Sequence, residues 1–327
     1  MMKVVLARPR GVCAGVDRAV RIVELALERF GPPVYVRKEI VHNRFIVEDL
    51  RKKGAVFVEE LVEVPRGGLV IFSAHGVSPE VPRQAQEMGL RAIDATCPLV
   101  AKVHHEVLRY VGKDYHLVLI GHKGHDEVVG TLGHAPEEIT LVENAADAER
   151  VELPTDRPMM VLTQTTLSMD DAAGTMAVLK RRFPNLELPP SDDICYATQN
   201  RQNAVKEVTT KVDLVLVVGS QNSSNAKRLV EVAQARGIAG QLIDSEAELR
   251  PEWLAGVSSV GVTSGASTPE VLVQRVIERL KELGATEVEL CDTVDEHVVF
   301  TLPAELRAAP SPLAPTAPST PTPPSGL

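Results

Sequence analysis

Aromatic side chains are scarce in this 327-residue chain, at 3% of positions, and cysteines number only four. The first shortage removes a base-stacking platform, and a net charge of -9 removes a basic surface that could follow phosphates, so nucleic acid is not an expected partner. Nowhere do about 18 apolar residues run together, and the start shows only a short apolar run after Met2. Neither a membrane span nor an export segment is expected. Four widely spaced cysteines without a leader do not make a disulfide framework and read as reduced thiols of a cytoplasmic protein. No C-x-x-C pair suggests a closed zinc site, no H-E-x-x-H suggests a zincin helix, and no G-x-G-x-x-G suggests a nucleotide fold.

What is present is a 44% hydrophobic content, enough for a large core and for two or three domains. Short β-branched runs ("KVVLA", "VYVRK", "LVIFS", "HLVLIG", "MMVLTQ", "DLVLVVG", "VGVTS") alternate with helical patterns such as "RIVELALERFG" and "PEVLVQRVIERLKELG". That alternation predicts an α/β protein with mostly parallel sheets. Five apolar runs lead into polar turns: Ser73-Ala74-His75-Gly76, "GHKGHDE", "TQTTLS", "GSQNSSN" and "TSGAST". Ligands bind at the carboxyl ends of parallel strands, so these turns predict one converging polar site. The same residues also fit helix caps. Ser267-Thr268-Pro269-Glu270 matches a capping box, and Ser224 or Asn225 is placed to cap "AKRLVEVAQARG". Both roles suit an anion site, because hydroxyl-capped helix starts attract negative charge.

Cys13, Cys97 and Cys195 each end a short segment and each precede a predicted helix, whereas Cys291 in "EVELCDT" reads as a buried strand residue. The recurrence suggests three α/β units, each giving one thiol to a common axis, and helix starts would favour the thiolates that metals require. Three thiolates suit either an open zinc site or an iron–sulfur cluster with one iron left free; three unrelated capping cysteines are the plainer alternative. His42, His75 and His125 sit in turns beside glycines and hydroxyls and read as anion-binding groups, while His104, His105 and His134 read as structural. Glu127 is the nearest carboxylate, either a proton donor of raised pKa or an ordinary first-turn acid.

"GVCAGV", "EIVHNR", "SAHGVSP", "DATCPLV", "GHKGHDEVVGT", "TQTTLS", "DDICYATQNRQ", "GSQNSSN" and "VTSGAST" occur in an order that closely resembles the 4-hydroxy-3-methylbut-2-enyl diphosphate reductase (LytB/IspH) family over residues 3 to 303. The resemblance implies three α/β lobes in a pseudo-threefold, trefoil arrangement around one central [4Fe-4S] cluster held by Cys13, Cys97 and Cys195. It implies a diphosphate held by His42, His75, His125, Ser223, Ser224, Asn225 and Ser267. Gln164 would line the pocket, with Thr165, Glu127 and His125 in the chemistry. The implied reaction is reductive dehydroxylation of an allylic diphosphate to isopentenyl and dimethylallyl diphosphates, with ferredoxin or flavodoxin as external one-electron donor. Lobe limits are expected near the cysteines: a strand over 1–13 packing on the third lobe, lobes over 14–97, 98–194 and 195–303, and a disordered Pro/Ala/Ser-rich tail over 304–327. An aconitase-type hydro-lyase and a cluster-based sensor are the competing classes. The first would show a C-x-x-C pair and the second a partner module, and neither is found. Asp126 stands where the family often carries proline.

Overall fold

The computed structural model describes residues 2–189 and 193–307. The chain opens with β1 (Met2–Arg8) and α1 (Ala14–Phe30), then builds β2 (Val34–Arg37), α2 (Arg44–Lys52), β3 (Ala55–Val58), β4 (Leu69–Phe72), α3 (Glu80–Glu87) and β5 (Arg91–Asp94). A second series runs α4 (Pro98–Val111), β6 (His116–Ile120), α5 (Asp126–Leu132), β7 (Ile139–Val142), α6 (Ala145–Arg150), β8 (Met159–Thr163), α7 (Met169–Arg182) and β9 (Leu186–Glu187). A third runs α8 (Tyr196–Val208), β10 (Leu214–Val218), α9 (Ser224–Ala235), β11 (Ala239–Ile243), β12 (Ser259–Ser264), α10 (Glu270–Glu282) and β13 (Ala285–Asp292), before the short α11 (Ala304–Arg307).

These strands form three parallel sheets ordered β3-β2-β4-β5, β7-β6-β8-β9 and β11-β10-β12-β1-β13. The order repeats three times, with β13 added at one edge, so three lobes share one plan. The central strands are continuous apolar runs buried along their whole length, as in "LVIF", "HLVLI" and "LVLVV". Burial on both faces explains the missing polar alternation. Successive residues feed opposite cores: Leu117 and Leu119 join α4 and α5 residues, while Val118 and Ile120 join α7 residues. The helices supply matching stripes. In α1 these are Ala19, Ile22, Val23, Ala26 and Leu27, at the 3–4 spacing that places them on one face.

Two short strands escaped the sequence reading. The β5 segment "RAID" buries only Ile93, and β9 has two residues, so neither shows an apolar run. Both matter, because the strand at this fourth position (β5, β9 and β1) is the last one before a cysteine in the chain. The chain beyond β13 returns to the first lobe. Thr301 O accepts from Arg18 Nε at 2.7 Å, and Leu302 and Leu306 pack on the core around α1. The tail was expected from 304, yet 304–307 form α11 with Leu306 buried. The rest of the expected tail, 308–327, lies outside the described residues. Among the described residues, no helix is long and apolar enough to cross a membrane.

Candidate active site

Cys13, Cys97 and Cys195 are the N-cap residues of α1, α4 and α8, one helix at the entry to each lobe. Each backbone N–H donates at 3.0 Å to a carbonyl just past the third strand of a sheet: Cys13 to Ala266, Cys97 to Ala74 and Cys195 to Thr165. One bond geometry, repeated three times, brings three thiols from distant sequence to the border of a single cavity of about 110 Å³. Their closeness shows at Gly15, where an added Cβ would stand 2.6 Å from Cys97 Sγ and 3.9 Å from Cys13 Sγ. The fourth cysteine, Cys291, is buried in β13 against Lys211 Nζ at 3.4 Å, as its strand reading predicted.

One sequence expectation is reversed for the thiols. Helix starts lower thiol pKa values, but burial outweighs that effect and pushes Cys97 up to about 12 and Cys195 up to about 11. A positively charged partner is needed to keep these sulfurs as thiolates.

Polar groups make up much of the remaining lining of the cavity. His42 and His75 stack with ring centroids 4.1 Å apart, and His125 meets them edge-on at 5.5 and 5.8 Å. The three come from the turns after β2, β4 and β6, where parallel strands end on one side of each sheet. Burial holds His75 well below the usual imidazole range and His125 down at about 4, so both rings are neutral near pH 7. Nδ1 of His125 accepts from Glu127 N at 3.2 Å, which leaves its proton on Nε2 as a donor. His42 Nδ1 donates to Glu39 Oε2 at 3.1 Å, and Asn222 Nδ2 holds the same oxygen at 2.7 Å. Ser223, Ser224, Asn225 and Ser267 complete this lining, which contains no lysine or arginine among the described residues.

The capping roles sort differently from expectation. Ser223 caps α9 by accepting from Ala226 N at 3.3 Å, whereas Ser224 Oγ accepts from Thr166 Oγ1 at 3.1 Å. No capping box forms at Ser267. Its hydroxyl donates to His42 O at 2.9 Å, because Pro269 is the N-cap of α10 and Thr268 Oγ1 turns to Val218 O. Asn225 ties the turn after β12 to the first turn of α8, accepting from Ala266 N at 2.9 Å and donating to Thr198 Oγ1 at 3.2 Å.

Glu127, 3% exposed, borders the same cavity beside His125. Thr165 donates to it twice, from N to Oε1 at 2.6 Å and from Oγ1 to Oε2 at 2.9 Å. Those bonds favour the carboxylate, but burial prevails and raises its pKa to about 7. Gln164 does not line the cavity. Its amide is spent on His122 N at 3.0 Å and Thr166 Oγ1 at 2.8 Å. Thr166 lines the cavity instead, and so does Thr198, whose hydroxyl lies 3.2 Å from Cys195 Sγ. Neither threonine stood out in the sequence, since each is one hydroxyl among several in a turn or first helical turn.

A LytB protein family model matches residues 4–281. Two relatives named 4-hydroxy-3-methylbut-2-enyl diphosphate reductase are each 57% identical: one from Leifsonia xyli subsp. xyli over 93% of this chain and 91% of its own, and one from Azoarcus sp. over 94% and 98%. The solved E-1-hydroxy-2-methyl-but-2-enyl-4-diphosphate reductase of Plasmodium falciparum superposes with a TM-score of 0.90 at 42% identity, covering 93% of this chain and 96% of that one. A second solved structure, of the (E)-4-hydroxy-3-methyl-but-2-enyl diphosphate reductase described as terminal enzyme of the non-mevalonate pathway, gives 0.62 at 32% identity over 86% and 100%. The fold and the site define an α/β enzyme whose three lobes close on one cavity. The chain belongs to the LytB protein family.

Proposed function

We propose that this enzyme reduces 4-hydroxy-3-methylbut-2-enyl diphosphate to isopentenyl and dimethylallyl diphosphates. The observation that carries the reading is that three thiols, three histidines, a hydroxyl-rich wall and a buried carboxyl of raised pKa border the same small cavity.

The donor set fits a cluster. Three soft sulfur ligands from three lobes suit iron and sulfide, and the bare Cα at Gly15 leaves the room beside Cys97 Sγ that a methyl group would take. Cys13, Cys97 and Cys195 would hold one [4Fe-4S] cluster, and no fourth cysteine borders the cavity among the described residues. When bound, the cluster supplies one-electron reduction and an iron able to act as a Lewis acid.

The protein's own residues do the rest. Neutral His125 offers Nε2–H, and His42, His75, Ser223, Ser224, Asn225 and Ser267 surround the space for a diphosphate with hydrogen-bonding groups instead of fixed cations. Binding therefore depends on aimed donors. Glu127 has a pKa of about 7 and lines the cavity, and its bond from the Thr165 hydroxyl supports a role as the proton donor. The overall change takes up two electrons and two protons: the allylic C–O bond breaks, a C–H bond forms and water leaves. Protonation at either end of the allyl unit accounts for two products. The electrons would come from a ferredoxin or flavodoxin, since the sequence has no nucleotide fingerprint. The reduced thiols suit the cytoplasm as its working compartment.

The test is anaerobic reoxidation of reduced methyl viologen by the iron-loaded protein on adding this diphosphate. Substrate-dependent oxidation supports the reductase; none, by a fully loaded protein, overturns it.

A further inference from the structure

The helix that starts at each cysteine carries a cation in its second turn: Arg18 in α1, Lys102 in α4 and Arg201 in α8. Each cation reaches the segment that leads into the next cysteine round the ring. Arg18 Nη1 donates to Ala95 O at 3.3 Å and Thr96 O at 3.0 Å, the two carbonyls before Cys97. Lys102 Nζ donates to Asp193 Oδ1 at 3.1 Å, two residues before Cys195, and Asp193 Oδ2 accepts from Thr163 N at 3.1 Å. Arg201 donates from Nε and Nη2 to Gly11 O at 3.1 and 2.7 Å, two residues before Cys13. Chemically the three links differ, two to carbonyls and one to a carboxylate, yet their direction is the same.

We propose that Arg18, Lys102 and Arg201 form a closed clasp in which the helix starting at one cysteine fixes the segment entering the next, setting the three thiols as one unit. The proposal rests on reading those thiols as ligands of a single cluster. Its physical basis is the cost of the arrangement. Arg201 is fully buried, and a buried guanidinium is tolerated only when its donors are met. Here they are met by Gly11 O, by Ala197 O at 2.9 Å and by the Glu296 carboxylate at 3.0 Å. Asp193 is 5% exposed and likewise fully engaged. Simple packing of three lobes would be served by apolar contacts, whereas these bonds grip backbone or an adjoining carboxylate within two residues of each sulfur. Of the three, Arg18 also lies within electrostatic reach of a sulfur, that of Cys97. Arg18, Lys102 and Arg201 are positioning residues: they touch neither the cavity nor the thiols directly.

The clasp has a direction, and ordinary packing does not. Arg18→Gln, Lys102→Gln and Arg201→Lys variants of the full chain would be compared by amide hydrogen exchange and mass spectrometry, with metal bound and after chelation. Arg18→Gln should speed exchange about tenfold over 94–99, Lys102→Gln over 193–198 and Arg201→Lys over 10–15, as expected for losing one charge-assisted bond on a locally opening segment. The segment at the variant's own cysteine should stay as in the parent for Arg18→Gln and Lys102→Gln; Arg201→Lys also loses the bond to Ala197 O and is read at 10–15 alone. Arg18→Lys and Lys102→Arg should restore most of the protection. Equal acceleration at all three segments, or acceleration at the variant's own cysteine in Arg18→Gln or Lys102→Gln, overturns the clasp. Iron and sulfide per chain, measured on the same samples, keep the two readings apart. A parent that loads no cluster sinks the cluster reading, and the exchange pattern alone decides the clasp.

Discussion

Replacing Glu127 with glutamine separates its proton from its buried charge. In the unfolded chain this carboxyl titrates at the ordinary 4.5, and in the folded protein burial raises it to about 7. A shift of that size is worth about 3 kcal/mol. The folded value is raised, so the stability of the neutral form is fully present below the unfolded value and is lost as pH climbs through the folded one. Glutamine stays neutral throughout and keeps an oxygen for Thr165 N. The unfolding free energy of Glu127→Gln, measured in urea against the parent, should therefore gain about 3 kcal/mol between about pH 4.5 and pH 8, with groups common to both proteins cancelling. Turnover should fall by roughly two to four orders of magnitude, the usual worth of a placed proton donor. A stability gap that does not move with pH would refute the buried-carboxyl argument. Full activity in the variant would refute the proton role.

Three further outcomes follow from the site. Cys13→Ser should lose bound iron and sulfide, read by elemental analysis and visible absorption, while keeping its far-ultraviolet circular dichroism. Gly15→Ala sets a methyl group 2.6 Å from Cys97 Sγ and should cut iron loading severely without changing any catalytic group. Ligand atoms of His42, His75 and Asp126 lie within 4.8 Å of one another, so the Asp126 carboxylate opposes an incoming diphosphate. Asp126→Asn should lower KM about fivefold, roughly 1 kcal/mol for a half-buried charge, with kcat little changed.

Much of this architecture was legible because parallel strands buried on both faces leave unbroken apolar runs, and the turns after them hold the polar residues. The five polar turns read from the sequence do converge, joined by a sixth after β2 that carries His42. What stayed hidden depends on three-dimensional neighbours. Gln164 and Thr165 are adjacent just past the end of β8, yet their side chains part: Thr165 meets Glu127, and Gln164 turns to His122 and Thr166. The thiol pKa values went the other way because burial is invisible in a sequence, while a helix start is not. The role of Gly15 needed the position of Cys97, more than 80 residues on. Likewise, the three second-turn cations look like ordinary helix-surface charges until their partners across the lobe junctions are seen.

The most direct measurement is a single turnover in heavy water. The iron-loaded protein, kept anaerobic with excess dithionite-reduced methyl viologen to supply both electrons, is mixed with less than one equivalent of 4-hydroxy-3-methylbut-2-enyl diphosphate and the products are weighed by mass spectrometry. The account predicts two C5 diphosphates that lack the hydroxyl oxygen and each carry one new carbon-bound deuterium. Substrate recovered intact, or a hydrated or rearranged diphosphate that keeps its oxygen, would contradict it.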